Sequence, residues 1–197
     1  MSIMQRLKEA TRKQHEELEQ AVDLMSETLS IEDYKSKLLK FYRFYSFIEP
    51  RLASFEWDLF GYDFPKRRKL PLLLKDLQSL DIMNEAKKLE GWEGLPDLNG
   101  SIGKAFGCLY VLEGANLGGQ VISRHLKLRL GLDESNGAAF FSGYGKETAT
   151  AWKEFGIILE NFASEYQNDE EIISGANETF EGFARCFRET YVLDLKI

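Results

Sequence analysis

Apolar residues recur at helical spacing along almost the whole chain. In the first segment, Leu7, Thr11, Leu18 and Val22 fall within a stripe about 60° wide when successive residues are placed about 100° apart. Runs of β-branched residues are scarce, and four prolines punctuate the sequence. The pattern predicts an all-α fold, a single-domain multi-helix bundle over residues 1–197 with no repeat and no linker.

Start and stop signals divide this pattern into separate helices. Two capping boxes, Ser2 with Gln5 and Ser30 with Asp33, each predict a helix N-terminus, and Gly131 predicts a C-terminus. Asp63 is a predicted N-cap ahead of a proline, whereas Pro50 should kink or restart the helix that contains it. The predicted helices lie at 2–23, 30–48, 63 to about 90 in one or two pieces, 101–130, 146–166 and 169–192, with connections at 91–100 and 131–145.

Composition narrows the class of protein. The net charge of −7 disfavours nucleic acid and anionic membranes as partners, and 44% hydrophobic residues exclude a disordered chain. The 14 Phe and 8 Tyr predict either a broadly aromatic core or a pocket for a flat apolar ligand. Cys108 and Cys186 lie in apolar helical patterns without metal-ligand spacing, which predicts buried reduced thiols. Without an apolar leader or a membrane span, the expected location is the cytoplasm.

His15 is the candidate metal ligand. It lies about 20° beyond Val22, at the edge of the apolar stripe, so the imidazole is expected to face the core. Glu19, one turn later, can accept a hydrogen bond from Nδ1 and leave Nε2 for a metal. Lys8, roughly 10 Å back along the helix, and the flanking Arg12 could meet an anionic edge of the same ligand. A satisfied core histidine and a solvated basic face are the alternatives.

A second candidate is a cluster of glycines at 113–120. Gly114, Gly118 and Gly119 each cost about 1 kcal/mol relative to alanine in a helix. They are expected to interrupt the helix that begins near Ser101 and resumes as far as Leu130. Close helix packing would explain them, and so would a backbone that must touch a flat ligand.

Taken in order, the segments resemble a known family. LKEATRKQHEELE at 7–19 is similar to the proximal helix of haem oxygenases, and LYVLEGANLGGQV at 109–121 is similar to their kinked distal helix in its bacterial form. SIEDYKSKLLKFYRFYSFIEP at 30–50 and ANETFEGFARCF at 176–187 resemble their second and closing helices. AAFFSGYGKETATAWKEF at 138–155 resembles the subgroup associated with bacterial phytochromes. The resemblance covers nearly the whole chain.

The resemblance implies that haem lies between these two helices and is cleaved, with O2 and electrons, to biliverdin, CO and iron. It implies that His15 is the proximal ligand, backed by Glu19, that Lys8 and Lys153 contact propionates, and that Phe180 lines the pocket. Gly114 and Gly118 would form the distal backbone. Animal members carry an aspartate where this chain has Ala115, so Asn116 or water held by the backbone is the candidate for the proton route.

The resemblance also implies partners. The chain has no nucleotide-binding glycine motif, so electrons would come from a ferredoxin, a flavodoxin or a reductase, and a phytochrome could accept the bilin. The basic run Lys66–Lys69 is either the docking patch or a solvated helix face. His125 is expected to be exposed and not a ligand.

Three alternative functions stay open. They are a non-catalytic haem carrier or sensor, a thiamin-degrading helical enzyme, and a helical scaffold without a ligand. The thiamin-degrading chemistry needs a cysteine nucleophile near a carboxylate. Cys108 and Glu113, five residues apart, lie on different helix faces.

Overall fold

The computed structural model describes residues 1–89 and 94–188, which form ten α-helices and no strand. Two short 3-10 turns lie at Trp57–Phe60 and Gly145–Glu147. The helices are α1 (Ile3–Ala10), α2 (Arg12–Val22), α3 (Ile31–Leu52), α4 (Phe64–Arg67), α5 (Leu70–Ser79), α6 (Met83–Ala86), α7 (Ile102–Leu130), α8 (Ala139–Ser142), α9 (Thr148–Tyr166) and α10 (Asp169–Arg188). No helix of the described part is long and apolar enough to cross a membrane.

The predicted helix ends are confirmed where a local cap defines them. Both capping boxes, at Ser2 and Ser30, are formed, and the side chain of Asp63 accepts from the backbone N–H of Lys66. Gly131 ends α7 in the left-handed conformation at φ +71°. Residues 91–93 of the predicted loop and 189–192 of the predicted last helix lie outside the described residues.

Several predicted boundaries were wrong. The segment from 63 to about 90 forms three helices, α4 to α6, in place of one or two. The first helix divides at Thr11, whose buried hydroxyl donates to the Leu7 carbonyl at 2.8 Å while its own backbone leaves the helical region. α3 continues through Pro50 to Leu52. α7 runs unbroken through 113–120, because packing of its flanks outweighs the propensity cost of its glycines, and the connection at 131–145 contains α8.

α7 and α10 form the centre of the bundle through backbone contact. A Cβ placed on Gly107 would lie 2.0 Å from the Ile172 carbonyl oxygen, and one on Gly175 would lie 2.2 Å from the Lys104 carbonyl oxygen. No real side chain tolerates such distances, so these glycines are required by the crossing. The two helices run in the same direction along this contact.

Aromatic packing fills the space between α3, α8 and α10. Phe44 stacks on Phe183 with ring centroids 4.1 Å apart, and Phe41 contacts Phe140 at 5.2 Å. Edge-to-face and stacked pairs of this kind stabilise a core beyond their buried area. Core filling therefore accounts for these aromatic residues without a ligand.

Candidate functional site

α2 and α7 both pack against α10. Tyr110 of α7 lies beside Thr11, which precedes α2. Beyond the end of α2, His125 Nε2 lies 3.1 Å from the carbonyl oxygen of Ser26. The two segments therefore run in the same direction, and the region between these two contacts is called the cleft below.

The predicted residues lie along these two segments. His15 and Glu19 lie in α2, and Gly114 and Gly118 lie in α7. His15 contacts Phe180 of α10, and α7 packs against the same helix.

The three glycines of α7 are not equivalent. A Cβ on Gly119 would lie 2.8 Å from the carbonyl oxygen of Phe141, so protein packing requires that glycine. A Cβ on Gly118 would meet nothing within 4 Å, and one on Gly114 would make only an ordinary contact with Trp152 at 3.6 Å. Packing does not require Gly114 or Gly118, and their bare backbone is suited to a flat ligand.

His15 does not face the core, so that expectation was wrong. Its side chain is 57% exposed, because the edge of the apolar stripe already lies outside the packed region. One edge of the ring packs against buried Phe180, with centroids 5.8 Å apart and planes at 71°. Phe180 thus orients the imidazole while leaving most of it accessible, as an axial ligand requires.

Glu19 lies beside His15 without a hydrogen bond. Its Oε2 is 3.7 Å from Nδ1, longer than a hydrogen bond, and both side chains are exposed. The two groups are close enough for a small rotation to join them.

The predicted cations lie on neighbouring helices. Glu160 of α9 accepts the N–H groups of Ile3 and Met4 at 3.2 Å each, and Met4 packs against Gly156. Lys8 lies in α1 on the C-terminal side of these contacts, and Lys153 lies in α9 on the N-terminal side of them. Both are exposed, as is Arg12, and none of the three makes an ion pair within the described residues.

Asn116 faces away from the cleft. It is buried, and its amide donates to the carbonyl oxygens of Leu112 and Glu113 at 3.3 and 3.2 Å. Its position is about 200° around the helix from Gly114. Its predicted place in a proton route therefore lacks geometric support. Exposed Ala115 offers no acid in its place.

The basic run Lys66–Lys69 is exposed only in part. Lys66 and Arg68 are exposed, as a solvated helix face requires, whereas Arg67 is half-buried and Lys69 is buried; the docking patch stays a prediction. Arg67 Nη2 lies 2.8 Å from Glu154 and Arg68 Nε lies 3.1 Å from Glu49, while Lys66 pairs locally with Asp63. The two arginines are therefore paired with carboxylates distant in sequence, which spacing along the chain does not reveal.

Sequence reasoning missed the residue that these cations surround. Glu113 is 3% exposed, and its Oε1 accepts the hydroxyls of Tyr62 and Tyr144 at 2.8 Å each. Arg67 Nη1 lies 3.7 Å from its other oxygen. Burial lowers the pKa of the neighbouring Lys69 to about 8. The sequence feature that could have indicated Glu113 is that it is the single charged residue in the apolar stretch 105–113.

The two cysteines and His125 are the remaining candidate functional residues. Both cysteines are buried and free, as predicted, and burial raises the pKa of Cys108 to about 12. That value opposes the nucleophile needed by the thiamin-degrading alternative. His125 is partly buried, contrary to expectation, because it contacts Ser26 at the end of the cleft.

Comparisons with known proteins agree on one family. The family model described as haem oxygenase matches residues 1–189. The haem oxygenase of Xanthomonas campestris pv. campestris (strain 8004) is 28% identical over 159 residues, covering 80% of this chain and 90% of that protein.

Two solved structures share the fold. The NO- and CO-bound haem oxygenase of Neisseria meningitidis has a TM-score of 0.80 at 23% identity, covering 95% of this chain and 91% of that one. The haem oxygenase of Leptospira interrogans has a TM-score of 0.74 at 18% identity, covering 95% and 98%.

Proposed function

Because this chain belongs to the haem oxygenase family, we propose that it binds haem in the cleft between α2 and α7 and cleaves it to biliverdin, CO and iron. The observation that carries the proposal is an accessible histidine in α2 together with two glycines in α7 that protein packing does not require. A scaffold without a ligand would retain the cost of Gly114 and Gly118 with no compensating contact.

We assign the proximal ligand to His15, acting through Nε2 in its neutral form. Phe180 fixes one edge of the ring, and Glu19 lies beside Nδ1, where a hydrogen bond would favour the required tautomer. Lys8, Arg12 and Lys153 supply exposed positive charge for the propionates, which sets the rotation of the ring in the cleft.

Bound haem supplies both the iron that activates O2 and the carbon skeleton that is oxidised. The protein therefore acts by orientation and access. Bare backbone at Gly114 and Gly118 lets α7 approach the ring closely and keeps bulky groups away from the oxygen site. With Ala115 exposed and Asn116 turned away, we assign proton delivery to water held by the backbone of α7.

Electrons come from outside the chain. We propose a ferredoxin, a flavodoxin or a reductase as donor, docking near the exposed cations Lys8, Arg12 and Lys153. The similarity of 138–155 to the phytochrome-associated subgroup supports a bilin-binding photoreceptor as acceptor and the cytoplasm as the site of action.

The test compares wild-type protein with His15→Ala and with Glu16→Ala, an exposed neighbour, as the control. The wild type and the control should form a haem complex and, with O2 and a reductant, yield bilin absorption and CO. His15→Ala should lose the axial ligand, and added imidazole should restore the haem spectrum. A wild-type Soret band that persists without bilin or CO would show a haem carrier instead.

A further inference from the structure

The glycine-rich turn of α7 lacks side chains on its cleft face that could fix its rotation. Gly114 and Gly118 contribute no side chain, and their Cβ positions meet at most one ordinary contact. The rotation of this turn about the helix axis must therefore be fixed from its other faces. Gly119 against Phe141 provides one such contact, through backbone alone.

Glu113 provides another, immediately before Gly114. Its carboxylate is held by groups from separate parts of the chain: Tyr62 after the first 3-10 turn, Arg67 in α4, and Tyr144 before the second 3-10 turn. The Arg67 guanidinium also lies over both tyrosine rings, at 5.7 and 5.4 Å from their centroids. Two hydrogen bonds, both to Oε1, thus hold the buried carboxylate from separate parts of the chain, and Arg67 adds positive charge at 3.7 Å from the other oxygen.

Lys69 adds charge to the same cluster. Its ammonium lies 3.2 Å from the centroid of the Tyr144 ring, and the charge of Glu113 opposes the lowering of its pKa by burial. Removing the charge of Glu113 would leave Arg67 paired with Glu154 alone and would leave buried Lys69 with only the weaker influence of Glu49. A change that neutralises the carboxylate therefore destabilises the cluster through Lys69 above all.

We propose that Glu113 is a positioning residue that fixes the rotation of α7 and so orients the Gly114–Gly118 backbone against haem, selecting the meso carbon that is cleaved. The proposal rests on the proposed function. In this proposal, buried Glu113 contacts neither haem nor O2. It acts through the peptide that links it to Gly114, and a rotation of α7 moves that backbone across the ring.

The experiment uses three variants of the full chain. Glu113→Gln removes the charge at constant size, and Tyr62→Phe removes one hydrogen bond to the carboxylate. Tyr34→Phe is the matched control, because Tyr34 is equally buried and its hydroxyl donates to the Gly137 carbonyl oxygen at 2.7 Å, away from the cluster. If Glu113→Gln does not fold, Tyr62→Phe carries the test.

Two measurements test whether Glu113 fixes the rotation of α7. In haem-free protein, amide hydrogen exchange at residues 114–119 should rise at least tenfold in Glu113→Gln, less in Tyr62→Phe, and not in Tyr34→Phe. In turnover with a chemical reductant, the ratio of biliverdin isomers should change in the same order while haem binding is retained. Wild-type exchange and isomer ratio in Glu113→Gln would overturn the proposal, and so would an equal change in Tyr34→Phe. If wild-type protein forms no bilin, the proposed function is refuted. Amide hydrogen exchange would still test whether Glu113 fixes the rotation of α7.

Discussion

Replacing Gly118 by alanine should make the haem-free protein more stable and the haem complex weaker. The position lies inside α7, and a Cβ there would meet nothing within 4 Å. The methyl group therefore creates no clash in the protein. The proposed function places the face of the haem against this position, so the same methyl group should obstruct haem.

The magnitude follows from helix propensity. Alanine in place of glycine in a helix interior is worth about 1 kcal/mol, and for a chain of this size that raises Tm by about 2–4 °C. Gly119→Ala provides the matched contrast, because its Cβ would lie 2.8 Å from the Phe141 carbonyl oxygen. Overpacking of that kind costs about 1–3 kcal/mol, so its Tm should fall.

Thermal unfolding of haem-free protein by circular dichroism measures the first effect, and haem titration with bilin formation measures the second. We expect Gly118→Ala to raise Tm while haem affinity or turnover falls at least tenfold. If Tm falls, the space at Gly118 is not open. If Tm rises and haem binding and turnover both match the wild type, the haem does not lie against Gly118.

Two further predictions concern the scaffold. Gly107→Ala should unfold the protein or lower its Tm far more than Gly118→Ala raises it, because its Cβ would lie 2.0 Å from the Ile172 carbonyl oxygen. Thermal unfolding followed by circular dichroism measures this, and a native helical spectrum with an unchanged Tm would contradict it. Burial raises the pKa of Asp76 from 3.8 to about 6, so its contribution to stability is complete below pH 4 and is lost as pH rises through 6. In urea melts, the free energy of unfolding of the wild type relative to Asp76→Asn should therefore fall between pH 4 and 6, and a constant difference would contradict the assignment.

Helix termini were predictable because the chemistry that sets them is local. A serine hydroxyl and an acidic or amide side chain three residues later, as at Ser2 and Ser30, satisfy backbone donors within one turn. The break at Thr11 was not predictable by the same means. It depends on a hydroxyl turning back to Leu7 while Tyr110 approaches from α7, and the second partner is distant in sequence.

The proximal half of the site was predictable for a similar reason. Arg12, His15 and Glu19 belong to α2, so their mutual spacing follows from helix geometry alone, whereas the break at Thr11 separates Lys8 from them. The exposure of His15 does not follow from that geometry, because it depends on how α2 packs against Phe180 of α10. The pairing of Arg67 and Arg68 with Glu49, Glu113 and Glu154 does not follow from it either, because those carboxylates lie on three other helices.

The glycines of α7 show why periodicity reveals a site only in part. Gly114, Gly118 and Gly119 carry the same propensity cost, and no local rule separates them. Packing separates them: the Phe141 backbone excludes a side chain at Gly119, whereas no such contact excludes one at Gly114 or Gly118. Under the proposed function, this bare face of α7 meets haem, and the helix must then be fixed from its other faces. Glu113, a buried carboxylate in an apolar stretch, is the residue that we propose fixes it.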